Sequence, residues 1–386
     1  MVRLGSDLLL ASSRLKGARV GVVCNHASLD RGYLHIVDRL ATTPDVTLAA
    51  IFGPQHGFRS DVQDNMIETP HADDSMRRVP VYSLYSETRE PTAAMLAGLD
   101  FLIIDLQDIG ARIYTYIYTM ANCLRACAKH RVPVIVCDRP NPIGGTDLEG
   151  GLLVAGFESF VGQFPIPMRH GMTIGELARL FNEHFGLGAT LEIVKMQGWT
   201  RDMYTDTTAV PWVMPSPNIP TLDTAIVYPG TVLFEGILIS EGRGTTRPFE
   251  LIGAPWIEAE SFSRRMNGLG LPGVYFRPAV FEPTFQKHAK QTCGGCQIHV
   301  TDRRQFQPVL VGVALIAMFH QTDPGRFAWR QPPYEYEHDK MPIDILAGSA
   351  VLRQQIEADV DASEIARSWR DDQEAFRKLR EPFLLY

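Results

Sequence analysis

Short apolar runs recur through the first half of the chain, and each stops abruptly in a polar cluster. Runs at residues 19–24, 46–52, 79–85, 101–105 and 134–138 read as strands buried on both faces of a parallel sheet. Within residues 114–130, Ile117, Met120, Leu124 and Cys127 recur at spacings of three and four, the stripe of a helix packed on such a sheet. Strands alternating with helices predict the α/β class, with a parallel sheet covered on both sides.

The second half is patterned differently. Thr173 and Glu176 form a capping box, Ile174, Leu177, Phe181 and Phe185 supply the buried stripe of the helix it opens, and Gly186 stops that helix. Residues 199–220 set Pro215, Pro217 and Pro220 around Asn218 and read as a long loop; long loops in compact domains are often functional. Beyond residue 253, strands are expected at 274–277 and 297–301, a helix at 308–319 and a terminal amphipathic helix at 363–379. The chain therefore divides into a larger domain, residues 1–252, and a smaller α/β domain, residues 253–386.

Composition narrows the picture. The 386 residues exceed one ordinary domain. A hydrophobic share of 45% supplies ample core, and a net charge of -7 argues against nucleic acid as the main partner. No run approaches the ~18 apolar residues of a membrane span. The start lacks a basic segment followed by a signal-length apolar stretch. The expected compartment of the chain as given is the cytoplasm, or the periplasm or exterior if a leader has been removed.

Six cysteines are present, and Cys293 and Cys296 form a lone C-x-x-C flanked by His288 and His299. Zinc is conceivable there; two thiols in a turn before a strand is the simpler reading, and no metal is expected. Residues 268–273 match G-x-G-x-x-G, but Pro272 and a strand-like run follow, so this is a turn. Without that fingerprint or a Walker loop, no nucleotide or nicotinamide cofactor is expected.

Ligands of open α/β sheets gather beyond the carboxyl ends of the strands, which is where the polar clusters fall. After the second strand stand Gln55 and His56; the imidazole either shuttles a proton or fixes a turn. Glu68 lies on the next loop. Asp105 and Asp108 are close enough for repulsion to raise one of them into a general acid. Alternatively Asp108 caps a helix and Asp105 orients Arg112. Tyr114 offers a hydroxyl or a stacking face. Arg139 and Asn141 follow the 134–138 strand, and Arg169 and His170 precede the capped helix. Residues 240–248 carry Glu241, Arg243, Thr246 and Arg247 among glycines. Guanidinium forks suit a carboxylate, so these arginines either line a positive pocket or form surface salt bridges.

The stretches GPQHGFR, PVYSLY, DLQDIGARIYTY, DRPNPIGG, PIPMRHGMTIGEL, PSPNIPT, YPGTVLFEG, SEGRGTTRPFE, GAPW and PPYEYE, in this order across nearly the whole chain, resemble the NamZ family of exo-β-N-acetylmuramidases. The resemblance implies a Rossmann-like domain joined to a smaller C-terminal domain, with the active cleft between them. It implies release of terminal N-acetylmuramic acid from peptidoglycan fragments, muropeptides and disaccharides, as in cell-wall recycling. That sugar carries a lactyl carboxylate, which calls for arginine, and hydroxyls, which call for amides and carboxylates. Gln55, Arg112, Tyr114, Arg139, Asn141, Arg169, His170, Asn218, Arg243, Thr246 and Arg247 are the expected binding residues.

Gln55 is a departure, because many family members have glutamate in that loop. An amide cannot serve as acid or nucleophile, so catalysis falls to Glu68, Asp105, Asp108 or Glu241, with His56 beside them. Two readings follow. In one, a pair of carboxyl groups flanks a glycosidic bond. In the other, the scaffold binds muropeptides or amino sugars without cutting them.

Overall fold

In the computed structural model the described residues are 1–63 and 66–386. Seven strands form the main sheet: β1 (Arg19–Cys24), β2 (Thr47–Gly53), β3 (Ala72–Asp74), β4 (Val79–Ser83), β5 (Phe101–Asp105), β6 (Val134–Cys137) and β7 (Leu191–Val194). Their order is β3-β4-β2-β1-β5-β6-β7. Neighbours pair in parallel except β3, which runs antiparallel to β4. The chain reverses its direction of growth between β1 and β5, and this switch opens a crevice over their carboxyl ends.

The unbroken apolar runs are explained by burial on both faces. Leu102 and Ile104 pack with Phe52, Val134 and Val136 on one side, while Ile103 packs with Val22, Ile51 and Ile135 on the other. The helix Tyr116–His130 covers the first side and ends on left-handed Arg131. The capping box of Thr173 and Glu176 is formed as expected, and the helix Ile174–Arg179 runs on into a π turn, Leu180–His184.

A second sheet is antiparallel, in the order β8-β10-β9, from β8 (Leu251–Ala254), β9 (Val274–Phe281) and β10 (Cys293–Val300). Here the sequence reading needs correction. The C-x-x-C is not a turn before a strand but the first half of the central strand. Gly294 and Gly295 permit it, since a Cβ on either would fall 2.1 Å from the Ile257 carbonyl or 2.0 Å from the Ile252 carbonyl. Residues three apart in a strand point to opposite faces, so the two buried thiols do not converge on an ion.

The helix Pro308–Thr322 is buried along most of its length and crosses the helix Leu222–Thr231 with Gly230 against Pro308 and Gly312. The expected terminal helix is two, Ala362–Ser368 and Arg370–Arg380, broken at Trp369. One apolar cluster runs from the main sheet through these helices to the second sheet, so the two halves share a core. Among the described residues no helix is long and apolar enough to cross a membrane.

Candidate functional site

A small pocket lies where the loops after β2 and β5 meet the segments 216–249 and 334–335. From the β2 loop come Gln55 and His56, both nearly buried. His56 is held at φ +69 and followed by Gly57 at φ +81. Its Nδ1 donates to the Val62 carbonyl at 2.7 Å, and Gln55 Oε1 accepts from the Thr115 hydroxyl at 2.7 Å. Residues 113–116 form one wall and Tyr228, Phe249 and Tyr334 another. Asn218 closes a side, pinned by Gln63 through two hydrogen bonds of 3.1 and 3.0 Å.

The carboxyl groups inside this pocket are Glu235 and Glu335, 3% and 2% exposed. Glu235 sits on the 3-10 turn Val232–Gly236 at the end of the helix Leu222–Thr231. It accepts from the Tyr334 hydroxyl at 2.6 Å and pairs with Arg243 at 2.8 Å. Glu335 accepts from the Tyr85 hydroxyl at 3.2 Å. It stands in a tight turn closed by reciprocal 2.9 Å hydrogen bonds between Tyr334 and Glu337. Both central residues are left-handed, Glu335 at φ +45 and Tyr336 at φ +68. Such backbone costs energy for non-glycine residues, and clusters at functional sites. Burial, and then the negative charge of Glu235, push the Glu335 carboxyl up to about 8. A carboxyl group so placed carries a proton at neutral pH, as a general acid requires.

Arg243 ties the pocket to an ion-pair chain. It bridges Glu235 and, at 3.3 Å, Glu241, which in turn meets Lys287 at 2.5 Å. Burial opposes the guanidinium charge, but the two glutamates outweigh it and raise Arg243. Burial would also lift Glu241, yet Lys287 and Arg243 overcome it and leave that carboxylate below its ordinary range.

The structure brings Gln55, His56, Tyr114, Asn218 and Arg243 to this pocket, and carries the other sequence candidates elsewhere. Asp105 is clamped by Arg139 at 2.6 and 3.1 Å, both side chains buried. Asp108 accepts from the Gly110 N–H at 2.8 Å and lies 3.2 Å from His170 Nε2. Arg112 points into the interior and donates to the carbonyls of Gly151, Ile166 and Leu346. Asn141 braces Met172 and Ile143. Arg169 is held by Glu149 and Asp147. Thr246 and Arg247 are exposed, with Arg247 paired to Glu250 at 3.2 Å. Glu68 lies outside the pocket against Arg89, at 3.2 Å, and Arg89 stacks over Tyr85 and Tyr336.

Glu235 and Glu335 were missed by reasoning from strand ends, because neither follows a strand of the main sheet. A signal existed for each. Glu235 is one carboxylate in the otherwise apolar Val-Leu-Phe-Glu-Gly run, and Glu335 sits among aromatic residues in Pro-Pro-Tyr-Glu-Tyr. A carboxylate in apolar company is the arrangement that raises an acid's pKa.

Comparison with known proteins covers both halves. The family model for the N-terminal part of the exo-β-N-acetylmuramidase NamZ matches residues 20–223, and that for its C-terminal part matches residues 226–386. The chain is 45% identical over its whole length to the peptidoglycan β-N-acetylmuramidase NamZ of Bacillus subtilis, covering 91% of that protein. Two crystal structures of DUF1343 family proteins from Bacteroides fragilis superpose on the full chain and cover 99% of each. One has a TM-score of 0.90 at 34% identity. The other has 0.77 at 29%.

Proposed function

The chain belongs to the NamZ family of exo-β-N-acetylmuramidases, and from that premise we propose that it releases terminal N-acetylmuramic acid from peptidoglycan fragments using Glu335 and Glu235. The observation that carries this assignment is the pair's unequal surroundings. Glu335 is buried beside the like charge of Glu235 and accepts from the Tyr85 hydroxyl, whereas Glu235 pairs with Arg243 and accepts from the Tyr334 phenol. Groups driven apart in this way divide acid and base duties. Glu335 protonates the departing glycosidic oxygen. Glu235 faces the positive charge that builds on the sugar ring as the bond breaks, and is then the base or nucleophile of the second half. His56, Asn218 and Gln55 supply ring-nitrogen and amide partners for hydroxyls and the acetamido group. Arg243, already shared between two glutamates, is also the pocket's guanidinium for the lactyl carboxylate.

Its partners in this reading are disaccharides and muropeptides ending in N-acetylmuramic acid, met in the cytoplasm during wall recycling. Turnover of a chromogenic β-N-acetylmuramide, beside the matching N-acetylglucosaminide, tests it. Hydrolysis of the first and little of the second is expected. Binding of free N-acetylmuramic acid without turnover of either would instead make the chain a sugar-binding protein.

A further inference from the structure

A larger cavity, of about 590 Å³, lies apart from the catalytic pocket and shares no lining residue with it. Five arginines line it against two carboxylates, in a protein of net charge -7. The two acids, Asp147 and Glu149, are both engaged by Arg169, at 3.2 and 3.0 Å. That leaves Arg304, Arg367, Arg370 and Arg377 on the rim, all exposed. Among the described residues the first three enter no salt bridge, and Arg377 meets only the exposed Glu374. Such a concentration of like charge attracts anions to the cavity.

The remaining lining says which anion. Trp369 stands half-buried at the break between the two terminal helices, with its indole edge against Gly151. Gln307 and Gln373 add side-chain amides. An indole face suits the apolar side of a pyranose ring, amides suit hydroxyl and acetamido groups, and guanidinium forks suit carboxylates. The cavity is of the size that encloses ligands larger than one ion.

We propose that this groove is a second binding site for a carboxylate-bearing glycan chain, one whose alternate sugars carry lactyl groups. The inference rests on the muramidase reading for the ligand's identity, not for the existence of the site. The groove takes segments of the chain beyond the terminal sugar, or a second chain, and holds the polymer at the enzyme between cuts.

The test uses the full-length protein and a peptide-free octasaccharide of alternating N-acetylglucosamine and N-acetylmuramic acid. Binding is titrated on Glu335→Gln protein, with and without Arg367→Ala/Arg370→Ala or Trp369→Ala; these substituted side chains lie away from the catalytic pocket. Either groove change should weaken binding about tenfold, roughly the loss expected from one or two charge-assisted contacts. In the otherwise unaltered enzyme, kcat/KM on the chromogenic monosaccharide should stay unchanged while KM on the octasaccharide rises. An uncharged chitin oligosaccharide of equal length should bind more weakly. Unchanged octasaccharide affinity in both groove variants overturns the proposal. So does equal competition by poly-glutamate, which would mark a patch for acidic peptides or any polyanion. Groove-dependent binding in a protein that cuts no muramide would leave the site standing and sink the catalytic reading instead.

Discussion

Two pairs among the buried carboxyl groups of this molecule stand in opposite settings. Asp105 and Asp108 lie where a sheet of this kind keeps its ligands, at the carboxyl end of β5, yet each is held by the protein through at least one oxygen. Asp105 has the whole fork of Arg139, and Asp108 a backbone N–H and a histidine. Glu235 and Glu335 lie off the sheet and face one another's charge, with Arg243 spread over Glu235 and Glu241. A buried charge with a dedicated counterion is a structural element. A buried carboxyl group that faces a like charge is pushed toward its protonated form. Burial alone does not distinguish the pairs; the neighbouring charge that each carboxyl group faces does.

The sharpest way to break this contrast is to exchange each acid for its amide. Glu335→Gln should lower kcat on a chromogenic muramide by about 10²–10⁴-fold, the usual share of general acid catalysis, with folding intact. Asp105→Asn should do the reverse. It leaves Arg139 buried without its partner, so urea denaturation should show a loss of about 3–5 kcal/mol, while kcat per folded molecule stays near wild type. Both changes acting on stability, or both on kcat, would erase the distinction.

A second test uses pH. Glu335 is raised from 4.5 to about 8 in the folded protein. The folded state therefore holds a proton that the unfolded chain releases between those values, and the stability this contributes declines as pH rises through the window. Wild type should lose stability relative to Glu335→Gln from about pH 5 to about pH 8, read from paired melting curves. Its kcat should fall on the alkaline side as Glu335 deprotonates.

The smallest effect is expected at Gln55. Gln55→Glu puts a third carboxyl group into the pocket, which should move the alkaline limb upward by repulsion and change the maximal rate by less than about tenfold. A rise of several orders of magnitude would hand the acid role to position 55 and remove it from Glu335.

Much of this was legible in the sequence. Four central strands of the main sheet, β2, β1, β5 and β6, declare themselves by runs that have no polar face, such as Phe-Leu-Ile-Ile, because both sides are covered. The edge strand β7 is half-buried throughout, and β3 is three polar or small residues, so neither carries that signature. The start of β10 was hidden by glycines that usually mark turns and here allow backbones to touch. The loop after β2 announced itself, and Gln55, His56 and Asn218 do meet. The carboxyl groups proposed as catalytic did not, because their setting depends on which segments of the second half fold against Tyr85 and Arg243, a long-range fact that local spacing does not contain.

The catalytic pocket encloses only about 40 Å³, room for water and too little for a sugar. The turn bearing Glu335 is clasped from outside by Arg89 between the rings of Tyr85 and Tyr336. At rest the carboxyl group is therefore largely shielded from solvent, 2% exposed. If the pair works as proposed, a substrate that parts this clasp meets a carboxyl group already protonated.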